Sequence, residues 1–136
     1  MFQILIAEDD KNTRKLMEAV LKCNGFNPIP ASSGEEALKL LDRHHIDLAV
    51  LDIMMPGMDG YELTRHLRSM DYNLPILMVT AKVLPEDKRK GFMAGTDDYM
   101  TKPVDEEEMV LRIRALLRRA QIASERKITI GSVTLD

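Results

Sequence analysis

Three short runs of apolar residues along the chain lack the polar–apolar alternation of a half-exposed strand. They span residues 2–7, 48–51 and 75–80. Runs of this kind are typical of parallel strands that are buried on both faces of a sheet. Two more strands are predicted at 27–31 and 98–101. The first of these contains Pro28 and Pro30, which lack a backbone N–H donor, so we expect it at an edge of the sheet.

Between these strands, apolar residues recur at the spacing of a helix that packs on one side. Asn24 and Gly25 end the first predicted helix, and Ser33 with Glu36 forms a capping box at the start of the second. A fourth helix is predicted over 85–94, with only a thin apolar face. Five strands that alternate with five helices predict a doubly wound α/β fold, because parallel strands need right-handed helical connections over both faces of the sheet.

The end of the chain changes character after the fifth predicted helix, which we expect to end at residue 119. A polar stretch over 120–126 is predicted to be a linker, and 127–136 has the pattern of a short hairpin with a turn at Gly131 and Ser132. A single hairpin is only marginally stable. We therefore expect residues 1–119 to form one domain and 127–136 to begin a second, truncated one.

The composition narrows the function classes. A chain of 136 residues with 45% hydrophobic and 30% charged residues fits one globular domain. The net charge of -3 argues against DNA binding by these residues, since phosphate contacts usually require a basic excess. A single cysteine, Cys23, cannot form an internal disulfide. Without a long apolar span or a leader-like start, the protein is expected to be cytoplasmic and to have no membrane contact.

Acidic residues follow two of the buried strands. Glu8, Asp9 and Asp10 come directly after the first strand, and Asp52 ends the third. Ligands bind at the carboxyl ends of the strands in open α/β sheets. Crowded carboxylates repel one another, and a hard cation such as magnesium relieves that repulsion. A solvated helix start and a turn aspartate are the plain structural alternatives.

A hydroxyl and a positive charge are expected at the same end of the sheet, because Thr80 ends the fourth strand and Lys102 follows the fifth. Lysine neutralises charge on transferred phosphoryl oxygens, and threonine donates a hydrogen bond to them. In such a site Asp52 is the candidate nucleophile, since aspartyl phosphates are an established covalent strategy. Taken singly, Thr80 could equally be a turn residue and Lys102 a solvated surface lysine. The prediction of a phosphoryl site therefore depends on their common position at one end of the sheet.

Four sequence motifs together resemble the receiver family of response regulators, over residues 2–119. They are ILIAEDD with Glu8 and Asp9, LAVLDIMMPGMDG with Asp52, MVTAK with Thr80 and Ala81, and GTDDYMTKP with Tyr99 and Lys102. The resemblance implies a five-stranded parallel sheet in the order 2-1-3-4-5 and a phospho-accepting switch of two-component signal transduction. Its partner would be a sensor histidine kinase that phosphorylates Asp52.

The same resemblance implies a set of metal ligands for Mg²⁺ or Mn²⁺. Asp9 and Asp52 are expected to bind the ion directly, and Glu8 is expected to act mainly through water. The backbone carbonyl of Met54 would complete the protein ligands. Asp10 is not expected to be a ligand.

The resemblance also implies roles for residues around the phosphoryl group. Lys102 and Thr80 are expected to contact its oxygens, and Ala81 is expected to leave room for them. The Lys102–Pro103 bond is expected to be cis, which an X-Pro bond permits. Activation is expected to couple Thr80 to Tyr99, whose ring turns inward as the hydroxyl of Thr80 moves toward the phosphoryl group. A half-buried aromatic on an edge strand is the plain alternative for Tyr99.

Charges near the last predicted elements resemble those of the OmpR-type, winged-helix subclass, whose active receivers dimerise through the fourth helix, fifth strand and fifth helix. The matching pairs are Lys88 with Glu108, Asp98 with Arg112, and Asp97 with Arg119. A solvated charged surface is the alternative, and surface ion pairs add little stability. The segment 127–136 resembles the start of a winged-helix domain, so promoter DNA would be read only through the missing effector domain.

Three other classes fit less well. A hydrolase with an aspartyl intermediate usually carries a second aspartate two residues after the nucleophile, where this chain has Met54. A nucleotide- or flavin-binding module would need a Gly-rich phosphate loop, and acids stand in its place. A stand-alone chemotaxis-type receiver is disfavoured by the predicted tail hairpin. We expect a switch that catalyses only its own phosphoryl transfer and dephosphorylation, not an enzyme that acts on other substrates.

Overall fold

The computed structural model describes residues 1–70, 72–81, 89 and 94–135, with side chains as far as residue 121. Five strands form one parallel sheet: β1 (Gln3–Ala7), β2 (Asn27–Ala31), β3 (Leu48–Asp52), β4 (Ile76–Thr80) and β5 (Asp98–Thr101). The helices within the described ranges are α1 (Lys11–Cys23), α2 (Gly34–Arg43), α3 (Gly60–Ser69) and α4 (Glu106–Leu135). The helix predicted over 85–94 lies largely outside the described residues.

The strand order is β2-β1-β3-β4-β5, and every neighbouring pair is parallel. This order confirms the predicted doubly wound α/β fold. It also brings the carboxyl ends of β1 and β3 side by side, because Ala7 pairs with Leu51 at the end of their shared register. The residues that follow Ala7 and Leu51 are therefore neighbours in space, although they are far apart in the sequence.

The sheet is buried on both faces, as the unbroken apolar runs predict. Successive residues of a strand point to opposite faces, and Leu5 accordingly packs in one core cluster while Ile4 and Ile6 pack in the other. The first cluster includes residues of α2 and α3, and the second includes residues of α1 and α4. All five residues of β3 and of β4 are buried. Complete burial of one aliphatic side chain contributes about 1.5–3 kcal/mol, so these central strands hold the fold together.

Strand β2 lies at one edge of the sheet, as its two prolines predict. The amide of Asn27 donates to the carbonyl of Phe2 at 2.9 Å. Residue N–H groups alternate in direction along a strand, so positions 27, 29 and 31 donate toward β1. Pro28 and Pro30 occupy the intervening positions, whose N–H groups would otherwise point away from the sheet.

Side-chain caps set where the helices begin. Ser33 accepts a hydrogen bond from the amide of Glu36 at 3.1 Å, which confirms the predicted cap of α2. The side chain of Glu36 contacts the hydroxyl of Ser32 instead of completing the reciprocal half of the box. Asp10 caps α1 by accepting from the amide and hydroxyl of Thr13, at 2.9 and 2.6 Å. These hydrogen bonds lower the pKa of Asp10.

The last helix differs from the prediction. Helix α4 continues through residues 120–135, where the sequence predicted a linker and a hairpin, so the hairpin prediction is wrong for this structure. A two-stranded hairpin with no further sheet to join is marginal, whereas a helix makes its backbone hydrogen bonds within its own segment. The division into a first domain and the start of a second stays a prediction. Although α4 has 30 residues, no helix in the described part of the chain is apolar enough to cross a membrane.

Candidate functional site

Three of the predicted acidic ligands meet at the carboxyl ends of β1 and β3. Glu8, Asp9 and Asp52 each offer a carboxylate oxygen, and these oxygens lie within 4.8 Å of one another. Glu8 is 1% exposed and Asp52 is 3% exposed, while Asp9 is open to solvent. Burial of a carboxylate is costly unless a partner compensates its charge. The arrangement is therefore a built acidic site with one open side.

The loop after β1 holds the acids in place. The amide of Glu8 donates to the carbonyl of Ala31 at 3.0 Å, and the guanidinium of Arg14 donates to the carbonyl of Glu8 at 2.7 Å. The amide of Asp10 donates to Oε2 of Glu8 at 3.1 Å. The side chain of Asp10 caps α1 by accepting from Thr13. Arg14 was not predicted, because an arginine one turn into a surface helix is unremarkable in the sequence.

Lys102 supplies the positive charge of the site. Its Nζ lies 2.6 Å from Oε1 of Glu8 and 3.3 Å from Oδ2 of Asp52. Its backbone amide donates to the carbonyl of Thr80 at 2.8 Å, which fixes the start of the loop after β5. The peptide bond between Lys102 and Pro103 is cis, in agreement with the expectation.

The pKa values of both Glu8 and Lys102 are raised, for different reasons. Burial raises the pKa of Glu8, even though the contact with Lys102 acts to lower it. Burial acts to lower the pKa of Lys102, but the neighbouring carboxylates of Glu8 and Asp52 outweigh it, so that pKa is raised. The lysine therefore stays charged, and its single ammonium group contacts Glu8 and Asp52 in a cluster of three carboxylates. The site has an excess of negative charge.

The donor set fits a hard divalent cation. Carboxylate oxygens are the ligands that Mg²⁺ prefers, and the ion typically uses one or two of them together with water and phosphate. Glu8, Asp9 and Asp52 supply such oxygens from a cluster that one lysine leaves only partly neutralised. Met54 lies beside them, since its amide donates to Oδ1 of Asp52 at 3.3 Å. The acidic cluster is able to bind a metal ion.

The hydroxyl predicted for the site lies on the neighbouring strand. Val79 of β4 pairs with Asp52 of β3, so Thr80 is one residue further toward the carboxyl end and is fully buried. Ala81 follows it at the exposed rim. Tyr99 pairs with Met78, which shares a face with Thr80 because the two are two residues apart in β4. The two predicted switch residues thus lie on one face of adjacent strands.

The predicted dimer surface shows contacts within the single chain. Arg112 lies 3.0 Å from both carboxylate oxygens of Asp98 and 3.0 Å from Oε1 of Glu108. Asp98 is the main reason that the pKa of Arg112 is raised. Asp97 forms its ion pair with Arg68, at 2.9 Å, whereas the sequence matched it with Arg119. Lys88 lies outside the described residues. Pairing of these charges between two chains stays a prediction.

Arg68 connects two loops by hydrogen bonds, a role that the sequence analysis did not predict. Its guanidinium donates to the carbonyls of Tyr72 and Leu74, both at 2.8 Å, and of Gly95 at 2.8 and 3.1 Å. Its contact with Asp97 joins the same group, and Asp97 also accepts from the amide of Ile76 at 2.7 Å. One side chain thereby fixes the loop before β4 against the loop before β5. Nothing local in the sequence indicates these carbonyl partners.

The start of α3 is packed directly onto the strand that carries Asp52. A Cβ atom at Gly60 would lie 2.5 Å from the carbonyl oxygen of Asp52 and 2.9 Å from Cα of Ile53. The amide of Gly60 donates to the carbonyl of Ile53 at 3.1 Å. The next residue, Tyr61, is buried, and its hydroxyl lies 2.7 Å from that of Tyr99. Only the absence of a side chain at residue 60 permits this approach.

Comparison with known proteins identifies the class. Residues 4–114 match the family described as the response regulator receiver domain, and the chain belongs to that family. The heme response regulator HssR of Staphylococcus aureus is 43% identical over all 136 residues. The match covers 100% of this chain and 60% of HssR, so the chain spans about three fifths of the length of that relative.

Solved structures agree with this assignment. The receiver domain of a response regulator from Francisella is 34% identical with a TM-score of 0.84, and the match covers 88% of this chain and 99% of that one. A putative response regulator from Chloroflexus aurantiacus is 37% identical with a TM-score of 0.81, covering 86% and 98%. The chain is therefore a receiver domain of a two-component response regulator.

Proposed function

We propose that Asp52 is the phosphoacceptor of this receiver domain and that a sensor histidine kinase is the donor. The observation that carries the proposal is the position of this carboxylate: it is 3% exposed, ends a central strand, and lies 3.3 Å from the ammonium group of Lys102. A buried carboxylate beside a fixed cation and two further acids suits phosphoryl transfer, which depends on positioning and electrostatics.

Magnesium, or manganese in its place, is the cofactor of the proposed reaction. Asp9, Asp52 and the carbonyl of Met54 would hold the ion directly, and Glu8 would act mainly through water. When bound, the ion neutralises charge on the carboxylates and on the incoming phosphoryl group. The oxygen-only donor set of the acidic cluster supports this choice.

In the proposed transfer, a carboxylate oxygen of Asp52 forms a bond to phosphorus while the bond from phosphorus to the kinase histidine breaks. The histidine nitrogen keeps the electron pair of the broken bond. Lys102 would turn toward the phosphoryl oxygens and neutralise charge there, and Thr80 would donate its hydroxyl. The small side chain of Ala81 would leave room for the oxygens at the rim.

We further propose that phosphorylation couples Thr80 to Tyr99 and that the domain then pairs with a second copy through the face that includes Asp98, Glu108 and Arg112. The domain would act as a switch that catalyses only its own phosphoryl transfer and dephosphorylation in the cytoplasm. HssR is longer than this chain, which supports an effector domain after the receiver domain. We propose that this effector domain is of the OmpR type and binds promoter DNA.

The test is to incubate the protein with magnesium and either acetyl phosphate or beryllofluoride, and to record intact mass and size. The Asp52→Ala variant is compared with Asp42→Asn, which removes an exposed carboxylate remote from the site. We expect a magnesium-dependent adduct in the wild type and in Asp42→Asn, its loss in Asp52→Ala, and a shift toward dimer. An adduct that persists in Asp52→Ala would contradict the proposed phosphoacceptor, and an adduct without dimerisation would contradict the pairing surface.

A further inference from the structure

Tyr61 and Tyr99 are joined by a buried hydrogen bond, with 2.7 Å between the two hydroxyl oxygens. Tyr61 is the second residue of α3 and is 4% exposed, and Tyr99 in β5 is 8% exposed. The bond therefore ties a helix to a strand across the core. A phenylalanine at residue 61 would fill the same space without bringing a polar group into the interior. The hydroxyl of Tyr61 thus has a role that packing alone does not require.

The ring of Tyr61 is anchored from the side of Asp52. Its preceding residue, Gly60, lies against the carbonyl oxygen of Asp52 and donates its amide to Ile53 at 3.1 Å. The carbonyl of Gly60 accepts from the buried hydroxyl of Thr64 at 2.8 Å, which holds the first turn of α3. The start of the helix is therefore fixed relative to the phosphoacceptor strand. From this fixed point the hydroxyl of Tyr61 reaches Tyr99.

The hydrogen bond favours one position of the Tyr99 ring. While the ring lies inward, the two hydroxyls remain paired inside the core, and a turn of the ring toward solvent breaks that pair. A buried hydrogen bond of ordinary net strength shifts an equilibrium between two positions about three- to tenfold. An interaction that stabilises the inward position of the ring therefore also promotes the binding of a ligand, or a modification, that requires this position.

We infer that Tyr61 is a positioning residue of the Asp52 switch, whose hydroxyl holds the Tyr99 ring inward and so primes the domain for phosphorylation. The inference rests on the proposed function, in which the inward ring belongs to the phosphorylated state. Tyr61 touches neither the phosphoryl group nor its donor. It affects phosphorylation of Asp52 only indirectly, because it stabilises the inward position of the Tyr99 ring that belongs to the phosphorylated state.

Fluorine NMR of the full chain labelled with 3-fluorotyrosine tests the position of the ring. The chain has three tyrosines, so three resonances are expected, and Tyr61→Phe and Tyr72→Phe assign them by elimination. In the wild type we expect the Tyr99 resonance to move little when beryllofluoride and magnesium are added. In Tyr61→Phe we expect it to start at a different position and to move further on addition. An unchanged Tyr99 resonance in Tyr61→Phe would overturn the inference.

Phosphorylation kinetics with acetyl phosphate supply the second readout. We expect Tyr61→Phe to be phosphorylated about three- to tenfold more slowly than the wild type, while Tyr72→Phe keeps the wild-type rate. Tyr99→Phe removes the other hydroxyl and should show a similar loss, and the double variant should add little to it. Additive losses would contradict a role through this bond. The comparison of the two single variants with the double variant also tests the role of the hydrogen bond if Tyr61→Phe has lowered stability.

The two proposals fail in distinguishable ways. If the wild type takes up neither beryllofluoride nor phosphate, the proposed function is wrong, and the inference about priming falls with it. If the wild type is modified on Asp52 while Tyr61→Phe shows the same rate and the same movement of the Tyr99 resonance on addition of beryllofluoride, only the inference is wrong. A structural role of Tyr61 alone would lower the thermal midpoint and shift the Tyr99 resonance of the free protein, but it would leave the phosphorylation rate and the movement of that resonance on addition of beryllofluoride unchanged.

Discussion

Lys102 and Glu8 form an ion pair with 2.6 Å between Nζ and Oε1, although Glu8 is almost fully buried. Lys102 is nearer to Glu8 than to Asp52, where the distance is 3.3 Å. The lysine therefore partly neutralises the acidic cluster and is also within reach of the proposed phosphoacceptor. The two tasks compete for the same ammonium group.

Replacement of Lys102 separates these tasks. In Lys102→Ala we expect phosphorylation by acetyl phosphate to slow by about 10²–10³-fold, because a charge that stabilises the transferred oxygens is lost. We expect the affinity for Mg²⁺ to rise, because the ammonium group no longer occupies the carboxylate oxygens that the ion uses. Rapid-mixing kinetics and calorimetric titration measure the two effects. A fall in both quantities would show that the lysine supports the metal site.

Glu8→Gln should stabilise the protein in the absence of metal. The raised pKa of Glu8 means that burial penalises its charged form more than Lys102 compensates. We expect the thermal midpoint of Glu8→Gln at neutral pH to exceed that of the wild type by roughly 2–5 °C in EDTA. Added Mg²⁺ should stabilise the wild type more than the variant.

The same pKa shift sets a pH dependence for the metal-free protein. The folded state holds the proton of Glu8 more tightly than the unfolded chain, whose reference pKa is 4.5. The stabilising contribution of the protonated group is therefore complete below that value and is lost as the pH rises toward the higher folded pKa. The stability difference between Glu8→Gln and the wild type should grow over this range. Thermal denaturation at a series of pH values in EDTA measures it, and a constant difference would contradict the assignment.

Gly60→Ala tests the close approach of α3 to Asp52. The added methyl group would lie 2.5 Å from a backbone oxygen, so the helix or the strand must shift. We expect a loss of about 1–3 kcal/mol in the free energy of unfolding and weaker Mg²⁺ binding. A Cβ atom at Gly34, at the start of α2, would also be crowded, 2.9 Å from Cβ and 3.0 Å from the backbone oxygen of Met58, but these atoms do not belong to the strand that carries Asp52. We expect Gly34→Ala to lower the free energy of unfolding as well, whereas only Gly60→Ala should weaken Mg²⁺ binding. Urea denaturation and calorimetric titration measure the two effects.

Arg68→Ala tests the connection between the loops before β4 and β5. The side chain is 24% exposed and makes hydrogen bonds to three carbonyls and one carboxylate. We expect a loss of about 2–3 kcal/mol in stability, because several charge-assisted hydrogen bonds disappear together. Arg65→Ala, on the exposed side of the same helix, should change stability by less than about 0.5 kcal/mol. Equal effects of the two substitutions, measured by urea denaturation, would contradict this role.

The sheet and the position of the acids could be predicted from the sequence because both depend on short-range patterns. Unbroken apolar runs indicated β1, β3 and β4, and the carboxyl ends of neighbouring parallel strands must meet. The prolines in β2 indicated its place at the edge. These features follow from the chemistry of a few consecutive residues and need no knowledge of distant partners.

The features that were missed depend on contacts between distant residues. The partners of Arg68 are mostly backbone carbonyls, which carry no sequence information, and Asp97 therefore could not be matched to it in advance. The hydrogen bond between Tyr61 and Tyr99 joins residues 38 positions apart. For the tail, the β-type pattern of 127–136 favoured a hairpin, but strands need a neighbouring sheet, and the structure has a helix there instead.

The edge strand β2 has a consequence for how the protein behaves at high concentration. An exposed edge with free N–H and C=O groups is a template on which strands of other molecules can add. In β2 the positions whose N–H groups would face outward are Pro28 and Pro30. The outer edge therefore offers carbonyl acceptors without the matching donors at these positions. The two prolines therefore hinder the addition of a strand from another molecule at this edge. They protect the domain against ordered aggregation by sheet extension.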